Sequence, residues 1–316
     1  MMPDTIAPPA EFDCRKAFAE TLIALARADE RIVAVCNDSV GSSNLKDFEA
    51  EFPDRLINVG IAEQNMVGVG AGLANAGLIP FVCSASPFLT GRAMEQVKVD
   101  AAYNGYHMVL CAMSPGMSYG ELGPTHHSIE DLAWMRAIHD LTILVPADPF
   151  QTVEALRWAA TATGPVFMRV GRFKVPAVSK ESDGFVVGRA DELRKGSDVT
   201  LVATGTLVSR ALQAAEDLAA EGISARVINV SSLAPIDAAC LIKAARETRG
   251  IVTAEEGVPQ GGLGGAVAEI LATAHPARMR ILGVNAFAPT GDAAFLLDHF
   301  GLNAAGIAKA ARELAA

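Results

Sequence analysis

Glu63 lies within NVGIAEQNMVGVGAGLANAG, Asn58 to Gly77, after an apolar, strand-like run and before a helix rich in glycine and alanine. A carboxylate at such a junction has two uses. It can complement the positive end of the helix that follows. It can also face a ligand and hydrogen-bond a ring nitrogen, because open α/β sheets bind ligands at the carboxyl ends of their strands. Position alone leaves both open. The glycine-rich PQGGLGGAV, Pro259 to Val267, matches neither G-x-x-x-x-G-K-[ST] nor G-x-G-x-x-G. It reads as a tight turn opening a helix. Cys14, Cys36, Cys83, Cys111 and Cys240 are scattered without a C-x-x-C, as in reduced thiols rather than a disulfide frame or a zinc site.

The elements that must position these residues follow from the apolar pattern. RIVAVCND, RLINVG, IPFVCSA, HMVLCAM, LTILVPA and PVFMRV read as buried parallel strands. Helical patterns separate them. In CRKAFAETLIALARAD, Phe18, Leu22 and Leu25 share one face at i, i+4, i+7. SIEDLAWMRAI reads as a helix with Ser128 as N-cap and Glu130 in its first turn. The segment from Gly171 to Asp198 breaks the rhythm and reads as a linker with a small hairpin. A second alternating series follows: VTLVAT, ARVINV, IVTAEE and MRILGVN, with helices between and after. The expected fold is α/β with two domains, 1–180 and 181–316, each a mainly parallel sheet with helices on both faces.

Composition bounds the function. The 316 residues suit two cores better than one, and 51% hydrophobic with 20% charged residues excludes wholesale disorder. A net charge of −10 without Lys/Arg runs argues against nucleic acid as the main partner. The opening MMPDTIAPPAEFD lacks the basic and apolar regions of a signal peptide, and no apolar run reaches membrane-spanning length, so a cytoplasmic protein is expected.

GIAEQNM, PFVCSASPFLTGRAMEQV, GELGPTHHSIEDLAWMR and VPADP, in that order and spacing, resemble the pyrimidine-binding domain of transketolases. VTLVATGTLVSRALQAAEDLAAEGI, RVINVSSLAPID and VTAEEGVPQGGLGGAVAEI resemble the transketolase C-terminal domain. The resemblance covers nearly all of the chain. It implies thiamine diphosphate as cofactor, with Glu63 hydrogen-bonding the aminopyrimidine ring nitrogen and favouring its imino tautomer. Phe88 matches the aromatic that packs on that ring, as an aromatic face suits a flat heterocycle. Asp38 matches an acid on the thiazolium side. His126 matches the histidine that contacts substrate hydroxyls and helps move protons. Arg15, Ser42 and Arg169 match residues that hold the substrate's phosphate, a task for which the guanidinium fork is well built.

Two departures bear on the substrate. Leu122 stands where the family usually has an Asp that reads a hydroxyl, and Ser114 where many members have a phosphate-contacting His. No Gly-Asp-Gly occurs, and TGDAAF at 290–295 lacks the second Gly. The resemblance therefore implies that Mg²⁺ and the diphosphate are held by a separate N-terminal subunit, with this chain a homodimer inside an α2β2 assembly. The implied reaction is transfer of a two-carbon ketol unit from a ketose phosphate to an aldose phosphate. The rival readings are the β chain of a 2-oxo acid dehydrogenase, a pyruvate-decarboxylating synthase and a non-catalytic regulatory chain.

Overall fold

The computed structural model describes residues 10–180 and 183–315. Most of the opening segment read for a signal peptide, residues 1–9, lies outside them, as do two residues of the expected linker, 181 and 182.

The chain begins β1 (Glu11–Asp13), α1 (Cys14–Ala28), β2 (Ile32–Cys36), α2 (Lys46–Glu51), β3 (Leu56–Asn58), α3 (Glu63–Asn75) and β4 (Ile79–Ala85). It continues through α4 (Ser86–Arg92), α5 (Met94–Gln96), a π-helical turn at Val97–Tyr103, β5 (Val109–Met113), α6 (Asp131–Arg136) and β6 (Thr142–Leu144). Next come α7 (Pro149–Ala159), β7 (Val166–Val170) and β8 (Lys174–Pro176). The second half comprises β9 (Asp191–Arg194), β10 (Val199–Ala203), α8 (Leu207–Ala220), β11 (Ala225–Asn229), β12 (Ser232–Ala234) and α9 (Ala238–Glu247). It closes with β13 (Ile251–Ala254), α10 (Leu263–Ala274), β14 (Met279–Leu282), α11 (Ala293–His299) and α12 (Ala304–Ala315).

Two sheets carry the fold. The first has the order β12-β6-β7-β5-β4-β2-β3 and the second β14-β13-β10-β11-β9. Both are parallel except for β12 on β6 and β9 on β11, which are antiparallel. Strands β2, β5, β7 and β10 are buried at every residue, as expected where helices cover both faces. On α1, Asp13 caps the helix by accepting the Arg15 N–H at 2.9 Å, and Phe18 and Leu22 are fully buried. Leu25 stays half-buried, and Ala26 takes the next core position.

Three local expectations need correction. Helix α6 begins at Asp131 rather than after a Ser128 cap, and the Ser128 hydroxyl donates instead to Ser86 Oγ at 2.7 Å. The segment after β7 forms no hairpin of its own: β8 pairs with β1, and β9 edges the second sheet. The third is β12. Read as part of the second series, it crosses back and extends the first sheet at Ser232↔Leu144. The apolar core follows the same path. Val35, Val82 and Leu110 of the first sheet share one buried cluster with Val202, Ile228 and Leu233 of the second half.

Candidate functional site

Chain connections leave β2 toward β3 on one side and β4 toward β5 on the other, so the first sheet switches direction between β2 and β4. Such a switch point opens a crevice at the carboxyl ends of the strands. Glu63 lies there as the first residue of α3 and is 3% exposed. Its Oε1 accepts Asn37 Nδ2 at 2.7 Å, from the end of β2, and Arg92 Nη1 at 2.8 Å, from the end of α4. No hydrogen bond from a described residue reaches Oε2. The Arg92 guanidinium also lies over the Phe88 ring, 4.0 Å from its centroid. A flat, hydrogen-bond-donating cation thus sits on the aromatic face and bonds the buried acid.

The aromatic path continues. His126 packs edge-on against Phe88 with ring centroids 5.1 Å apart, and Tyr119 lies 6.0 Å from His126. Arg172 stands over Tyr119 at 4.9 Å. Beyond it a cavity of about 470 Å³ is lined by Arg15, Tyr119, Leu122, Arg172 and Lys174, with Asp13 and Asp292 at its edge. Asp13 holds Arg15 in place, accepting Nη2 at 2.8 Å. Three cations around one cavity are suited to a small anion. Leu122 presents an exposed apolar side chain to the same cavity. Ser114 is buried at φ +56° with its hydroxyl unpartnered.

The expected site residues separate into two groups. Glu63, Phe88 and His126 come together, and Arg15 lines the adjoining cavity. Asp38 is exposed at φ +66° and its carboxylate accepts Asn58 Nδ2 at 3.1 Å; the residue beside it, Asn37, is the one that reaches Glu63. Ser42 is exposed, donates its hydroxyl to Ser39 O at 3.2 Å and does not line the Arg15 cavity. Arg169 requires correction. It is buried in β7, its Nε and Nη2 pair with Asp131, and its remaining donors go to the backbone oxygens of Glu256 and Ser128. Every donating nitrogen of that fork is committed inside the protein. Arg172, just past the strand end, takes the place expected of it. Asn37, Arg92, Tyr119 and Arg172 were missed. Arg172 had a signal in GRFK, since an arginine two residues past a strand end belongs to the loop layer where ligands bind.

A second acidic cluster lies under this site. Glu255 and Glu256 follow β13 and are buried. Burial pushes Glu255 up to about 7, although the N–H groups of Leu263 and Gly264 at the start of α10 donate to it at 2.8 Å. Burial also raises Glu256, opposed by the Met117 N–H and Arg169. For Arg169, burial alone lowers the pKa, but Asp131 and Glu256 more than reverse that.

Comparison with known proteins places these features. Residues 10–177 match the family model for the transketolase pyrimidine binding domain, and residues 188–307 that for the transketolase C-terminal domain. One of the two chains of the apulose-4-phosphate transketolase of Phocaeicola vulgatus is 42% identical over 95% of this chain and 96% of its own length. The 6-deoxy-6-sulfo-D-fructose transketolase subunit SqwH of a Clostridium species is 40% identical over 95% and 94%. A solved split-gene transketolase, described as an inactive β4 tetramer, is 39% identical with a TM-score of 0.89 over 96% of this chain and 98% of its own. Among the described residues, no helix is long and apolar enough to cross a membrane, and no group of three His, Cys, Asp or Glu side chains is arranged to hold a metal.

Proposed function

Because this chain belongs to the transketolase family, as the subunit carrying the pyrimidine-binding and C-terminal domains of a split enzyme, we propose that it builds the aminopyrimidine half of a thiamine diphosphate site and the substrate pocket beside it. The observation that carries the reading is the guanidinium of Arg92 between Phe88 and Glu63. The site already accepts a flat, cationic donor on an aromatic face with a buried acid at its edge, which is the chemistry an aminopyrimidine ring presents. When bound, thiamine diphosphate supplies the nucleophilic carbon that cleaves a ketose and passes its two-carbon ketol unit to an aldose.

The chain's own residues would do the following. Glu63 holds and exchanges a proton with the ring nitrogen. Asn37, bonded at Oε1, fixes that carboxylate so that Oε2 faces the ligand. Phe88 offers the stacking face once Arg92 swings aside; half of the Arg92 side chain is in solvent, so little holds it back. His126 binds substrate hydroxyls and moves a proton as a carbonyl forms or is attacked. Arg15 and Arg172 hold the substrate's terminal anion. The names of the two relatives specify a sugar ending in phosphate or in a sulfo group, and three cations around one cavity suit either. Leu122 would meet a part of the sugar that offers no hydroxyl. Mg²⁺ and the diphosphate would be held by a separate chain with a Gly-Asp-Gly motif, the two kinds of chain forming an α2β2 assembly in the cytoplasm. That a split-gene relative is described as an inactive tetramer of β chains supports the need for this partner.

The test is ketol transfer by the purified chain with thiamine diphosphate and Mg²⁺, with and without a partner carrying Gly-Asp-Gly, across phosphorylated and sulfonated ketoses. Turnover is expected only with the partner. Robust turnover by this chain alone sinks the split-site reading.

A further inference from the structure

We propose that Glu256 of the second domain is the positioning residue for the loop that carries Tyr119, Leu122 and His126, so that the C-terminal domain acts as the mould for the substrate pocket. The pocket's identity rests on the functional reading above; the positioning does not.

The loop joins β5 to α6, and its anchors come largely from the second half of the chain. Glu256 Oε1 accepts the Met117 N–H at 2.6 Å, while Oε2 accepts the Thr206 hydroxyl at 2.9 Å. One carboxylate therefore ties the loop to the start of α8. It lies flat against the loop backbone. Gly116 has φ +63°, and a Cβ there would come within 2.4 Å of Glu256 Cδ. Gly116 and Ser128 exchange two backbone hydrogen bonds, at 3.0 and 2.7 Å, closing the loop into a ring with Tyr119, Leu122 and His126 at its tip. Met117 and Ile129 are buried in the second domain's apolar cluster with Leu207, Val284 and Leu296. The Gly291 N–H donates to Gly120 O at 3.2 Å, and the Val258 N–H to Ile129 O at 2.8 Å.

A fully buried acid is a poor choice for holding two domains together, since apolar side chains of the same volume do so without the cost of desolvating a charge. What the acid adds is direction. Two hydrogen bonds from one planar group specify where the Met117 amide sits, and an apolar contact would let it slide. The backbone oxygen of Glu256 meanwhile accepts Arg169, which also reaches Ser128 O at the far end of the loop. Both ends of the ring are thus referred to one residue outside it.

Hydrogen exchange on the full chain, comparing wild type with Glu256→Ala, Glu256→Gln and Thr206→Val, tests this without the partner. Glu256→Ala is expected to speed exchange across 116–128 by about tenfold, the equivalent of one hydrogen bond, with β5 and β7 unchanged. Glu256→Gln keeps an acceptor for Met117 and a group for Thr206, so it should restore slow exchange. Thr206→Val should quicken the same segment less, and it decides the question if Glu256→Ala does not fold. In the reconstituted enzyme, Glu256→Ala should raise KM for the sugar about tenfold while leaving thiamine diphosphate affinity near wild type, because Glu63 and Phe88 lie on other elements. Exchange that is unchanged at 116–128, or faster everywhere, or not restored by Gln, overturns the proposal. A wild-type complex that transfers no ketol unit while the exchange pattern holds overturns only the functional reading.

Discussion

Glu63 and Asp131 each bond an arginine, and the two pairs differ in what surrounds them. Arg92 on Glu63 leaves half its side chain in water and rests on Phe88. Arg169 on Asp131 is 6% exposed, and its donors are all taken. An arginine at the surface can trade its partner for water at little cost, so a ligand can replace it. A buried one cannot leave without stranding an uncompensated charge. The first arrangement suits a binding site and the second suits a foundation. The mistaken assignment of Arg169 to substrate shows that residue type alone does not separate the two.

The comparison is broken or sharpened first at Glu63. In the reconstituted complex, Glu63→Gln keeps the volume and the Asn37 contact but lacks an exchangeable carboxyl proton. Steady-state kinetics should show kcat down by roughly two to four decades, the scale of a positioned acid–base group, with the melting temperature little moved. If kcat is unchanged, Glu63 is only an acid at a helix start.

The second contrast sets the two arginines side by side in denaturant titrations. Arg169→Ala should cost about 3–5 kcal/mol of stability, because Asp131 is left charged and buried. Arg92→Ala should cost no more than about 1 kcal/mol. Equal losses would erase the distinction between the two pairs. A stable Arg169→Ala that lost only its discrimination for phosphorylated sugars would restore Arg169 to the substrate.

Arg172→Ala comes next. A charge-assisted hydrogen bond contributes roughly 1.5–3 kcal/mol, so kcat/KM for anionic sugars should fall by about one to two decades. Neutral analogues should be spared, and Arg15→Ala should behave alike. Equal losses on charged and neutral sugars would remove both residues from anion binding.

The smallest effect concerns the foundation. Burial holds Glu255 at about 7 against an ordinary 4.5, so the folded chain binds a proton there that the unfolded chain has released. The stabilisation this brings is complete below the ordinary value and is lost as pH rises through about 7. Relative to Glu255→Gln, the wild type should lose on the order of 2 kcal/mol between pH 5 and pH 8. Parallel stability curves for the two proteins across that range would show that Glu255 does not titrate there.

Much of this was readable from the chain. The buried strands announced themselves as continuous Val, Ile and Cys runs, because a strand covered on both faces has no polar side to show. Glu63 was legible for the same local reason: the end of one periodicity and the start of another mark a strand–helix junction, and an acid there is conspicuous. The motifs around Phe88 and His126 carried the family. Asn37 was passed over for Asp38 because the choice between neighbours depends on which way each side chain turns. Asp38 adopts a left-handed backbone and turns to Asn58, while Asn37 faces the acid.

What the sequence determined by itself was therefore local: the elements, their alternation, the acid at the junction and the family the motifs belong to. These depend on residues within a few turns of one another. Only the tertiary structure decided which arginine is free, because Arg169 and Arg172 are three positions apart and separated by the end of β7, one inside the sheet and one beyond it. It alone decided that β12 completes the first sheet and that Glu256 reaches Met117 across 139 positions. Side-chain commitments of that kind are set by packing between distant segments, and no short window of sequence contains both partners.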